Sequence, residues 1–155
     1  MVRKELLFLS AFLGVLSSGL VLADRGHDHG RESYGVPGKA SQRARVVEVV
    51  MDDHMRFTPS SIDVRRGETI RFIVKNQGLQ PHELVLGSLA ELKAHAELMQ
   101  KFPNMQHDDP NMVSVAPGEK AELLWQFSRA GTVDFACLRP GHYEAGMRGS
   151  LNVKK

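Results

Sequence analysis

Apolar and polar positions follow one another in short runs along most of the chain. Val46-Val47-Glu48-Val49-Val50-Met51 is rich in β-branched residues and reads as a strand. Thr69–Asn76 alternates apolar and polar for most of its length, the pattern of a half-buried strand. Shorter runs at Ser61–Val64, His82–Leu86, Met112–Val115, Lys120–Phe127, Thr132–Cys137 and Gly149–Val153 predict further strands. Turns are expected at Arg65–Glu68, Ala116–Gly118 and Arg129–Gly131. Phe57-Thr58-Pro59 reads as a short edge or bend, because proline limits pairing.

One segment changes period. Ser88 can cap a helix, and Glu91 three residues on completes a capping box. Leu89, Leu92, Ala96 and Met99 then recur at helical spacing until Pro103 stops the run. Short strands punctuated by Gly and Pro, interrupted once by a helix, predict an all-β, Greek-key β-sandwich with one inserted α-helix. This domain is expected over residues 46–155.

The first 45 residues follow other rules. Arg3 and Lys4 precede an apolar stretch from Leu6 to Leu22, and Val21-Leu22-Ala23 offers small residues before Asp24. Residues 1–23 therefore read as a secretory signal peptide cleaved after Ala23, which implies a periplasmic protein with no membrane attachment after cleavage. Residues 24–45 lack apolar periodicity and are expected to form a disordered leader carrying His27 and His29.

Composition adds little beyond this. The chain of 155 residues is 42% hydrophobic and 25% charged, with a formal charge of +2, as in an ordinary soluble domain. Arg and Lys are spread along the chain without a basic, aromatic-laced stripe, which excludes a nucleic-acid partner. No Ser/His/Asp order, phosphate-cradling Gly loop or paired carboxylates stands out, so an enzyme is not expected.

The cysteine count changes the picture. Cys137 is the single cysteine, and in an exported chain an unpaired thiol calls for a metal, a partner or a reactive role. His142 and Met147 follow it, with four residues between each pair, and His82 lies upstream in Gln80-Pro81-His82-Glu83. Singly, each has an ordinary explanation as a surface imidazole, core filler or turn residue. Together they offer the donors of a type 1 copper site: two imidazoles, a thiolate and a weak axial thioether. Zinc suits three of these ligands but not the thioether. One type 1 copper per chain is the expectation, with His82, Cys137, His142 and Met147 as ligands.

Two further groups lean towards metal. Met51, His54 and Met55 lie with Asp52 and Asp53, and Met99, Met105, His107 and Met112 lie with Asp108 and Asp109. One reading makes them a second, exchangeable copper site; the other makes Met51 and Met99 core and His107-Asp108-Asp109 a solvated turn.

Phe57 to Phe72 resembles the first half of a plastocyanin/azurin-type cupredoxin, and Pro81-His82 and Cys137–Met147 resemble its copper loops. The resemblance covers about Val46 to Val153. The equal four-residue gaps are most similar to those of rusticyanin and auracyanin. The helix, the loop Lys101–Met112 and the His-bearing leader resemble the periplasmic CopI-like cupredoxins linked to bacterial copper tolerance. That implies the cupredoxin fold, a redox-active Cu(I)/Cu(II) centre and a role in copper handling. The alternative is a one-electron carrier. Partners then include copper ions and either a periplasmic redox protein or a copper exporter. One departure stands out: cupredoxins usually carry Asn or a similar residue after the first His, helping to pin the cysteine loop, and here it is Glu83. Glu83, like Glu144 in the ligand loop, could alter the centre or offer it an oxygen.

Overall fold

The computed structural model describes residues 34–103 and 109–155. Ten strands form two five-stranded sheets. In chain order they are β1 (Gly35–Pro37), β2 (Arg45–Asp52), β3 (Arg56–Thr58), β4 (Ser61–Arg65), β5 (Thr69–Asn76) and β6 (His82–Gly87), then helix α1 (Leu89–Lys101), then β7 (Met112–Val115), β8 (Lys120–Phe127), β9 (Gly131–Ala136) and β10 (Arg148–Lys154). One sheet has the order β1-β8-β5-β2-β3 and the other β4-β10-β9-β6-β7. The sheets bury Val49, Ile70, Phe72, Trp125, Phe127, Phe135 and Leu151 between them.

Strand β6 explains the helix. All six of its residues are buried, as happens when a strand is covered on both faces. Alternation sends Leu84 and Leu86 into the inter-sheet core and Val85 to the other face, where it packs with Leu92, Ala96 and Met99 of α1. The helix begins at Ser88, whose side chain accepts from the Glu91 N–H while the Glu91 carboxylate accepts from the Ser88 N–H, a complete capping box.

The sandwich starts before Val46. Tyr34 is buried, its hydroxyl donates to the Leu86 carbonyl at 2.9 Å, and its ring lies 5.7 Å from that of Trp125. This holds Gly35–Pro37 in register on β8. Gly35–Pro37, expected within a leader reaching Arg45, is thus part of a sheet: a three-residue strand is too brief to show a period, and one aromatic anchors it. Residues 1–33, which include the expected signal peptide, His27 and His29, lie outside the described residues, as do Met105 and His107. Among the described residues, no helix is long and apolar enough to cross a membrane.

Candidate metal centre

The candidate ligands converge at one end of the sandwich. His82 is the first residue of β6. Cys137 directly follows β9, and Met147 directly precedes β10. Strand β9 pairs with both β6 and β10, so the three ligand-bearing points are tied to one sheet.

The loop between Cys137 and Met147 is wound into successive turns. The His142 N–H donates to the Arg139 carbonyl, and the Met147 N–H donates to the His142 carbonyl, both at 3.0 Å. The Cys137 N–H donates to the Met147 carbonyl at 3.1 Å, closing the loop on itself. Gly141 and Gly146 take φ values of 84° and 94°, a left-handed backbone that a side chain disfavours. The loop thus returns Met147 beside Cys137 while lifting His142 over the site.

Donor atoms of His82, Cys137 and His142 lie within 4.8 Å of one another. Nδ1 of His82 is 3.2 Å from Nδ1 of His142, and Sγ of Cys137 is 3.3 Å from the same His142 nitrogen. His82, Cys137 and Met147 are fully buried, and only 9% of His142 is exposed. Two imidazole nitrogens facing each other beside a thiol form a concentrated set of soft and borderline donors. That set fits copper, which takes imidazole and thiolate together.

Two of these donors, Cys137 and His142, sit where burial disfavours their charged forms. Burial, and then the charge of Glu83, push the Cys137 thiol up from 9.0 to about 12. The backbone N–H groups of Arg139 and Glu83 point at its sulfur and oppose this. Burial, followed by the neighbouring His82 and Arg139, holds His142 below its ordinary range, so the ring stays neutral and available as a ligand.

Glu83 faces away from the donors. Alternation along β6 turns it to the strand face opposite His82, where its carboxylate accepts from the Leu138 N–H at 3.0 Å. It therefore pins the backbone next to Cys137, the task expected of an Asn at this position. Glu144 is likewise turned outward, accepting from Gln100 Nε2 of α1 at 2.6 Å.

Asp53 is a neighbour that sequence reasoning grouped with the wrong residues. It sits in the turn between β2 and β3, and its Oδ1 lies 3.1 Å from Nε2 of His82. The same carboxylate accepts from the N–H groups of Leu79 at 2.7 Å and Gln80 at 3.2 Å. The Leu79 contact first, and then that with His82, hold Asp53 below the usual carboxylate range. Asn76 was also missed. Its side-chain amide donates to the carbonyls of Gln80 and Val115, fixing the loop that leads into His82.

The described members of the suggested second copper site are not brought together. Met51 is fully buried in the inter-sheet core, with Met55 packed against that core. Met99 and Met112 belong to the separate cluster under α1. The side chain of His54 is 91% exposed, with its Nδ1 3.5 Å from Asp52 Oδ1. Met51, Met99 and Met112 thus fill core space, the alternative use of these thioethers.

Residues 44–154 match the sequence model of a family described as copper binding proteins, plastocyanin/azurin family. The chain is 48% identical to the copper-resistant cuproprotein CopI of Rubrivivax gelatinosus, an alignment covering 98% of this chain and 96% of that one. It is 37% identical to the protein of the same name from Pseudomonas aeruginosa, covering 92% of each. Among solved structures it is similar in fold to reduced auracyanin from Roseiflexus castenholzii, with a TM-score of 0.63 at 22% identity, covering 73% of this chain and all of the other. Auracyanin B gives a TM-score of 0.61 at 25% identity, covering 80% of this chain and 96% of the other.

Proposed function

The chain belongs to the plastocyanin/azurin family of copper-binding proteins, and from that premise we propose that it is a periplasmic copper-tolerance protein holding one type 1 copper per chain. The proposed ligands are Nδ1 of His82, Sγ of Cys137, Nδ1 of His142 and the thioether of Met147. The observation that carries this reading is the convergence of the first three donors within 4.8 Å in a buried site. Bound there, copper supplies a one-electron Cu(I)/Cu(II) couple.

The protein's own residues do the rest. The thiol keeps its proton until a cation displaces it, so loading releases a proton. The neutral His142 ring needs no deprotonation at neutral pH. Strands β6, β9 and β10 hold the ligands on a rigid frame, which limits rearrangement between oxidation states. The relatives named as copper-resistant cuproproteins, aligned over nearly the whole chain, favour copper tolerance over simple electron carriage. The barely exposed edge of His142 leaves an electron path for the carrier reading.

Deleting the gene from its host and titrating growth against copper tests the role. The deletion strain should fail at copper levels the parent tolerates, and the wild-type chain should restore growth while Cys137→Ala does not. Unchanged growth of the deletion strain would leave the electron-carrier reading in its place.

A further inference from the structure

We propose that Asp53 is a positioning residue for the metal centre: it orients His82, fixes which ring nitrogen faces the donors, and biases the centre towards Cu(II). This rests on the copper reading of the site. His82 is fully buried, with Nδ1 towards His142 and Nε2 towards the Asp53 carboxylate. A carboxylate at 3.1 Å favours the tautomer whose Nε2–H donates a hydrogen bond to it, which leaves the lone pair on Nδ1, the nitrogen aimed at the other donors. Partners of this kind orient a ligating imidazole and raise its donor strength. A fixed negative charge on the far side of the ring also favours the more positive oxidation state of the metal.

The arrangement is built rather than incidental. Asp53 reaches His82 across 29 positions in sequence while capping the N–H groups of Leu79 and Gln80 in the loop before it. Gly78 makes room: a Cβ there would run into the Asp53 carboxylate, Oδ1 first. The turn that carries Asp53 thus locks the loop that delivers His82, and one carboxylate serves both contacts.

Three variants separate the roles. Asp53→Asn keeps a side-chain acceptor but removes the charge. Asp53→Ala removes both. Gly78→Ala displaces the carboxylate without altering its chemistry. Measurements are Cu(II) and Cu(I) affinities by competition, the reduction potential, the melting temperature of the copper-free protein, and the His82 tautomer by nitrogen-detected NMR of the copper-free parent. The parent should carry its proton on Nε2. Asp53→Asn should lose about 10-fold in Cu(II) affinity, the lower end of the range for such partners, with less change for Cu(I). A tenfold selective loss reads as a rise of about 59 mV in potential. Gly78→Ala should shift the potential the same way, and Asp53→Ala should weaken both oxidation states. An Nδ1-protonated His82 overturns the proposal. So does a potential unchanged in Asp53→Asn, even if its melting temperature falls, since that describes a purely structural residue. Failure of the parent to bind copper would instead sink the copper reading, and the tautomer of the copper-free protein still tests the contact itself.

Discussion

Replacing Glu83 separates the work of its oxygen from the work of its charge. Its carboxylate accepts the Leu138 N–H at 3.0 Å, and the residue is only 5% exposed. In Glu83→Ala that N–H is orphaned in a place water does not reach. A hydrogen bond to a charged group contributes about 1.5–3 kcal/mol, and a buried unsatisfied donor costs a comparable amount. Regained solvation of a carboxylate offsets part of this, so the net loss should be about 1.5–3 kcal/mol. For a domain of this size that is roughly 5–15 °C in melting temperature. Glu83→Gln keeps a carbonyl acceptor in the same position and should lose much less stability. It also removes the charge that, after burial, raises the Cys137 thiol, so the thiol should ionise at lower pH. The assay is thermal unfolding of the copper-free proteins, with thiolate absorbance followed across pH. Equal destabilisation by both variants would refute the acceptor role. A Glu83→Ala variant melting with the parent would refute the pinning of the cysteine loop altogether.

The copper-free protein should be most stable between about pH 6.5 and 9. Below 6.5 the unfolded chain protonates His142 while burial keeps the folded ring neutral. Above 9.0 the unfolded chain ionises Cys137, whereas the folded thiol holds its proton to about 12, so stability should fall by up to about 1.4 kcal/mol per pH unit. Denaturant titrations at pH 5, 7.5 and 10 check both arms, and a flat profile contradicts them. Because loading displaces the Cys137 proton, copper affinity should rise about tenfold per pH unit above neutrality; a competition titration showing no pH dependence would contradict this. Leu92→Ala, emptying the contact between α1 and β6, should cost about 2–5 kcal/mol in urea unfolding. Ser88→Ala should cost about 1 kcal/mol by loss of its cap.

Much of this was legible in residue order. Strands at Thr69–Asn76, Met112–Val115 and Lys120–Phe127 fall where the alternation of the first and the short apolar runs of the other two placed them. The helix was legible for a local reason, the Ser88–Glu91 capping box. The cysteine loop was legible because its donors are close in sequence, although the left-handed glycines that wind it are visible only in the fold. What escaped depends on distant contacts. Strand β1 is held by Tyr34 against Leu86 and Trp125. Asp53 meets His82 only once the β2–β3 turn folds over the β5–β6 loop. Met51 and Met99 carry the same thioether as Met147, and only the fold shows that Met147, whose carbonyl accepts from the Cys137 N–H, is the one set beside Cys137.

A type 1 centre built on Cys137 is tested most directly by the visible spectrum of the Cu(II)-loaded protein beside that of Cys137→Ala. It predicts an intense thiolate-to-copper band in the parent, at one copper per chain, and its complete loss in the variant. A loaded parent without the band, or a band that survives removal of Cys137, would contradict it.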